Sequence, residues 1–77
     1  MKVPFENLST QCQRILRWFA VYEAINPIAA LSELGIMRLA ARISDLEKAV
    51  YKFSHEMVDH VNRFGEKVRF MEYRMVA

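Results

Sequence analysis

The spacing of apolar residues predicts two short helices in the first half of the chain. Apolar side chains recur every three or four residues at Leu8, Cys12, Ile15, Leu16, Phe19 and Tyr22, which predicts a helix over residues 9–23 with Ser9 or Thr10 as its N-cap. Asn26-Pro27 then suits the cap and first position of a second helix, predicted over 27–34. Gly35 follows, and glycine is favoured just beyond a helix C-terminus, so we expect a tight turn there.

A third helix is predicted over residues 36–49. Its apolar stripe consists of Ile36, Leu39, Ile43, Leu46 and Val50. The opposite face is assigned Met37, Arg38, Ala41, Arg42 and Asp45. Small side chains beside long cationic ones let a helix approach another surface closely while the arginines extend outward. We therefore expect both arginines to lie outside the core.

The sequence of residues 51–75 predicts two β-strands, although the spacing of apolar residues is ambiguous in the first part of this segment. Apolar residues between 50 and 64 fit a helical extension almost as well as a strand, and periodicity alone does not decide between them. The segment Asn62-Arg63-Phe64-Gly65 is typical of a hairpin turn, and Val68, Phe70 and Met75 then suit a second strand. A hairpin is preferred, and a long helix over 50–62 stays open.

Composition and charge limit the chemistry. The 77 residues suffice for one domain, and the formal net charge of +2 permits a polyanionic partner without requiring one. The single cysteine, Cys12, excludes an intramolecular disulfide, and its place on the apolar stripe favours a buried thiol. The start of the chain shows no secretion signal and no membrane-spanning stretch is apparent, so we expect a cytoplasmic protein.

Three helices followed by a hairpin are the parts of a winged helix-turn-helix domain. The stretches "QCQRIL", "NPIAALSELGIMRLAARISDLEK" and "NRFGEKVRFMEYRM" resemble the small helix-turn-helix domain proteins of bacteriophages and prophages. The resemblance covers about residues 10–75. It implies an α+β, mostly helical fold: a three-helix winged helix-turn-helix with a C-terminal β-hairpin wing over 51–75. Such proteins usually have a glycine before the wing, where this chain has Ala49-Val50.

The resemblance implies binding to double-stranded DNA, with the third helix in the major groove and the wing on the backbone or in the minor groove. Carried over by position, the candidate DNA-binding residues are Met37, Arg38, Ala41, Arg42, Arg63, Lys67 and Arg69. A bidentate arginine can bind guanine O6 and N7, whereas a phosphate contact adds salt-sensitive affinity without sequence preference. Pairing of Arg42 or Arg38 with Asp45 within the helix is the alternative.

Two other groups of residues have simpler interpretations. His55 and His60 in "HEMVDH" are five residues apart, which does not fit the zincin spacing and makes a metal site improbable. Arg14, Arg17 and Trp18 predict an exposed basic and aromatic patch on the first helix. No phosphate-binding loop, nucleophile elbow or carboxylate pair is visible, so we expect neither an enzyme nor a cofactor.

Three hypotheses for function remain. The first is a phage or prophage DNA-binding protein, either a transcriptional regulator or an architectural accessory factor in recombination. The second is a protein-interaction module that keeps the winged-helix fold but binds a host or phage regulatory protein, as exposed Met37, Trp18 and Phe64 would favour. The third, a homodimer, is compatible with either because a palindromic site matches a two-fold protein.

Overall fold

A computed structural model describes residues 3–76 and places three α-helices before and around a three-stranded antiparallel sheet. After a 3-10 turn at Phe5–Asn7, the elements in chain order are α1 (Thr10–Phe19), β1 (Ala24–Ile25), α2 (Pro27–Leu34), α3 (Leu39–Lys48), β2 (Phe53–Val61) and β3 (Lys67–Met75). β3 lies between β1 and β2 and is antiparallel to both. The predicted α+β winged-helix architecture is therefore confirmed.

The first helix is shorter than the sequence predicts. Ser9 is the N-cap, and its hydroxyl accepts a hydrogen bond from the Cys12 amide at 3.3 Å. The helix ends at Phe19 instead of residue 23, because the chain turns to bring β1 beside β3. Ile25 pairs there with Tyr73. Two residues without a strand pattern of their own thus become a strand through a partner far along the chain.

The second helix begins and ends where predicted. The Asn26 side chain accepts a hydrogen bond from the Ala29 amide at 2.8 Å, and Pro27 occupies the first turn. Gly35 closes the helix with a φ of 68°. This is a left-handed conformation in which any other residue would be strained.

The third helix begins at Leu39, three residues later than the predicted start at 36. Ile36 is fully buried, and its amide donates to the Ala30 carbonyl at 2.9 Å. Residues 36–38 therefore form the turn, because Ile36 has to point into the core before the chain can change direction. Arg38, with φ −118° and ψ 66°, is the non-helical N-cap of α3. Met37 and Arg38 precede the helix on which they were predicted to lie.

One apolar core joins the helices to the base of the sheet. Its buried residues come from all three helices, the turn and the three strands: Cys12, Ile15, Ile25, Ala30, Ile36, Leu39, Ile43, Leu46, Phe53 and Tyr73. Burial of a large aliphatic side chain of this kind contributes about 1.5–3 kcal/mol to folding. Within residues 3–76, no helix is long and apolar enough to cross a membrane.

Residues 53–75 form the predicted hairpin, not the alternative long helix. The two strands pair from Phe53↔Met75 to Val61↔Lys67. The hairpin reaches the core through the buried Phe53 and Tyr73 at its base, and the partly buried Met71 packs against the same core, while Met57 and Val61 are more than half exposed. The hairpin makes the molecule elongated, with extents of 44 × 22 × 21 Å.

Val50 marks the passage from α3 to the hairpin. It has a φ of 70°, the only positive φ of a non-glycine residue in the described part of the chain. A β-branched residue is disfavoured in this conformation because its Cβ crowds the following carbonyl. The left-handed conformation expected of a glycine at this junction is therefore present, although valine occupies the position.

We expect Val50→Gly to raise the free energy of unfolding by about 1 kcal/mol, since relief of left-handed strain exceeds the added freedom of the unfolded chain. Val50 is 44% exposed, so little packing is lost. Urea denaturation measures the change. Val21→Gly is the control, because Val21 is exposed in a turn without positive φ and the change should destabilise. Equal effects of the two substitutions on the free energy of unfolding would contradict the conclusion that the backbone of Val50 is strained.

Because the phenol of Tyr73 is buried, we expect the protein to lose stability at alkaline pH. Burial, with a smaller contribution from the charge of Glu47, raises the pKa of the Tyr73 phenol above its usual value. The unfolded chain therefore ionises first, and stability that is present below about pH 10 is lost as the pH rises through the higher folded value. Tyr73→Phe should flatten this alkaline limb in denaturation curves. An unchanged limb would show that other groups cause it.

Candidate nucleic-acid interface

The outward face of α3 is narrow and carries small side chains. Leu39, Ile43 and Leu46 anchor the helix in the core. On the side away from it, Ala40, Ser44 and Lys48 form an exposed stripe at four-residue steps. Such a face can approach a groove closely. Ser44 and Lys48 were not among the predicted site residues, although the four-residue spacing from Ala40 is a signal that could have found them.

The predicted residues at the start of α3 lie together. Met37 is 83% exposed in the turn, Arg38 is exposed at the N-cap and Ala41 is half-buried on the first turn. All three line a shallow cavity of about 340 Å³ that is bounded on its other side by Met71 and Tyr73. A smaller cavity of about 270 Å³ joins Met37 and Arg38 to Arg42.

Arg42 lies on the flank of α3 that faces α1, not on the outward stripe. Its Nη1 donates to Oε1 of Gln11 at 3.4 Å, and its Nε lies 3.0 Å from Oδ2 of Asp45. The Nε contact is an ion pair whose geometry does not qualify as a hydrogen bond. The intrahelical pairing considered as the alternative for this arginine is therefore present, and the side chain is half-buried.

The wing presents three further cations of unequal availability. Arg69 forms an ion pair with Asp59, with Nε 2.8 Å from Oδ1. Arg63 and Lys67 are exposed, and within residues 3–76 neither forms an ion pair; the same holds for Arg38. Of the predicted cations, these three can meet a phosphate without first leaving an acidic partner, and the exposed Lys48 on α3 shares this property within the described residues.

The wing tip is held by one side chain. Oδ1 of Asn62 accepts hydrogen bonds from the amides of Phe64 at 2.9 Å and Glu66 at 3.1 Å. Gly65 completes the turn with a φ of 78°. As a result Phe64 is 78% exposed at the end of the hairpin, next to Arg63.

In the basic and aromatic patch predicted on the first helix, Arg14 and Arg17 are exposed as predicted, and both also contact other parts of the fold. Nη1 of Arg14 donates to the carbonyl of Leu34, the last residue of α2, at 3.1 Å, where a cation is favourable at a helix C-terminus. Arg17 lies over the Phe5 ring, 5.4 Å from its centroid. Trp18 is half-buried and donates to the Ala24 carbonyl at 2.7 Å, so the prediction of an exposed Trp18 is wrong.

The structure also places two other features of the sequence, the histidines of residues 55–60 and the single cysteine. The histidines of residues 55–60 lie on β2, where alternation places His55 and His60 on opposite faces of the sheet. Cys12 is 3% exposed, and its thiol lies 3.8 Å from the Arg42 carbonyl, which accepts a weak hydrogen bond from it. The predicted burial of this cysteine is confirmed.

The family of the chain follows from comparison with known proteins. A family model described as a winged helix-turn-helix domain matches residues 10–77, and the chain belongs to this family. No curated protein and no solved structure gives a significant match. A winged helix-turn-helix domain indicates DNA binding in general, which agrees with an exposed α3 and unpaired cations on both α3 and the wing.

The two arginines of the candidate interface should differ in their effect on stability. We expect Arg42→Ala to lower the free energy of unfolding by about 1 kcal/mol, because packing and contacts with Gln11 and Asp45 are lost. Arg38→Ala should change it by less than about 0.5 kcal/mol, since Arg38 is exposed and unpaired. Guanidinium denaturation of both variants checks this, and equal losses would refute the assignment of different roles.

Proposed function

We propose that the protein binds double-stranded DNA by placing the outward face of α3 in the major groove while the wing contacts the backbone. The observation that carries the proposal is the exposed stripe of Ala40, Ser44 and Lys48 on a helix of a winged helix-turn-helix domain. Small side chains permit close approach to the base edges, and the cation at the end of the stripe favours the phosphates.

Arg38 is the first candidate for contact with a base. It stands at the N-terminal end of α3, the end that contacts bases in helix-turn-helix proteins, and it has no acidic partner among the described residues. Met37 and Ala41 beside it offer apolar contact, for which the thymine methyl group is a suitable partner. A good bidentate contact would contribute about 1–3 kcal/mol of discrimination between bases.

Arg63 and Lys67 on the wing are proposed to contact phosphates. Arg42 and Arg69 remain candidates of a second kind, because each is already paired with an aspartate and has to share or leave that partner to meet DNA. Displacing the exposed ion pair of Arg69 costs little, about 0–1 kcal/mol, whereas Arg42 is half-buried and also contacts Gln11, so Arg69 is the more available of the two.

The proposed role in the cell is that of a phage or prophage regulator of transcription, or of an architectural accessory factor in recombination, acting in the bacterial cytoplasm. A hairpin that projects from the helical body suits either role, because it can follow the backbone beyond the site bound by α3.

The second candidate is a protein-interaction module. Ile28 and Leu31 on α2 are 56% and 54% exposed, and Met37 and Phe64 are more exposed still. Apolar side chains of this size are common at the centre of protein interfaces. This alternative predicts binding to a regulatory protein that changes little with salt.

Titration of labelled mixed-sequence duplex DNA across a salt series tests the proposed function. We expect affinity to fall steeply with salt, and Arg63→Ala/Lys67→Ala to reduce the slope of log K against log salt by about 2, one unit for each lost phosphate contact. Arg38→Ala/Arg42→Ala should also weaken binding, with the single variants separating the two arginines.

Lys52→Ala is the matched control, because Lys52 is exposed in the segment before β2 and outside the proposed interface. Its removal lowers the net charge by the same unit as Arg38→Ala. Identical losses from Arg38→Ala and Lys52→Ala would show non-specific attraction only. No binding at low salt, by protein shown to be folded, would favour the protein-interaction module.

A further inference from the structure

Within residues 3–76, the outer edge of β2 presents backbone groups without a hydrogen-bond partner along its whole length. Asn62 donates to the Glu66 carbonyl and Val76 to the Lys52 carbonyl, which fixes the even-numbered residues of β2 as the hydrogen-bonded partners of β3. Hydrogen-bonded and non-bonded pairs alternate in an antiparallel ladder. The odd-numbered residues from Phe53 to Val61 therefore direct their amide and carbonyl groups away from β3.

This edge lacks most of the devices that usually prevent strands from pairing, and its charged side chains are the carboxylates of Glu56 and Asp59. Native proteins protect edge strands with lysine, proline, bulges or covering loops. β2, with the sequence FSHEMVDHV, contains no lysine, arginine, proline or glycine, and in the described part of the chain the sheet ends with it. β3 differs, because Lys67 and Arg69 stand on the part of its edge that β1 leaves open.

We propose that two copies of this chain associate through antiparallel pairing of their β2 edges, with the two-fold axis at Met57. In this register Met57 faces Met57 of the second copy, and both direct their amide and carbonyl groups toward the axis. His55 then faces Asp59, and Phe53 faces Val61. The pairing uses the full length of both strands and joins the two sheets into one of six strands.

The side chains of β2 are complementary to themselves in this register. On one face, apolar Met57 meets its own copy, apolar Phe53 meets apolar Val61, and the imidazole of His55 meets the carboxylate of Asp59. On the other face, Ser54 lies opposite His60 and Glu56 opposite Val58. The apolar and imidazole–carboxylate pairs of the first face are of the kind that each contribute about 0.2–1 kcal/mol, whereas the pairs of the second face add no such contact.

Existing contacts leave room for these pairs. Asp59 uses Oδ1 for Arg69, and His55 uses Nε2 for Glu47. Among the described residues, neither contact uses the second carboxylate oxygen of Asp59 or the Nδ1 atom of His55, and these atoms remain for a contact across the new strand pair. A shift that puts the axis at Asp59 would place two carboxylates opposite each other, and the resulting repulsion disfavours it. The register centred on Met57 is also the one that pairs all nine residues of β2 with the second copy.

The association can be measured without DNA, although β2 belongs to the wing whose tip residues Arg63 and Lys67 are proposed to contact phosphates. A two-fold pair of this type presents two α3 helices related by symmetry, as a palindromic DNA site requires. If the free protein proves to be a monomer, the proposed DNA binding can still be correct. If the protein does not bind DNA, the dimer can still be measured.

Light scattering on the full chain without DNA tests the association. We expect the mass of two chains for the wild type and of one chain for Met57→Lys, which places two ammonium groups across the axis. Met57 is half exposed, so circular dichroism should show the variant to be folded. A wild-type mass of one chain at millimolar concentration would overturn the proposal.

Cysteine cross-linking tests the register. In a hydrogen-bonded antiparallel pair the Cα atoms are about 5.5 Å apart, within the range a disulfide spans. Met57→Cys should form a covalent dimer readily in a glutathione redox buffer. Val61→Cys is the matched control, because Val61 has similar exposure on the same face but lies far from the axis. Equal cross-linking of both variants would overturn the proposal, and cross-linking of Met57→Cys alone would support it.

Discussion

The burial of Ile36 in the turn between α2 and α3 is the constraint on which the presentation of α3 depends. Gly35 supplies the left-handed φ, and the Ile36 amide is held by the Ala30 carbonyl, so the side chain enters the core at a fixed point. α3 can begin only after this residue. The outward stripe of α3 is then set by its own anchors, Leu39 and Ile43, which are nearly fully buried.

Local signals in the sequence were sufficient for the parts of the fold that depend on neighbouring residues. Asn26, Pro27 and Gly35 each have one strong conformational preference, and they place α2 at the predicted residues. The turn at Asn62–Gly65 likewise defines the hairpin and excludes the long helix. β1 could not be predicted, because Ala24 and Ile25 are a strand only through their pairing with β3.

The candidate site was predicted less completely, for a geometric reason. Arg42 was assigned to the outward face, although it lies three residues after Leu39 and four before Leu46 and therefore borders the buried stripe, where it contacts Gln11 on α1. The spacing of residues within α3 does not show which neighbouring helix a given side chain will contact. Ser44 and Lys48 were missed, although their four-residue spacing from Ala40 places them on the side of α3 away from the correctly predicted buried stripe.

Amide chemical-shift changes on addition of a mixed-sequence DNA duplex test the proposed function most directly, because they locate the contact as well as detect it. DNA binding by α3 and the wing predicts the largest changes in residues 37–48 and 62–68, with the exposed face of α2 around Ile28 unaffected. Changes confined to α2, or none in folded protein at low salt, would contradict DNA binding by this surface.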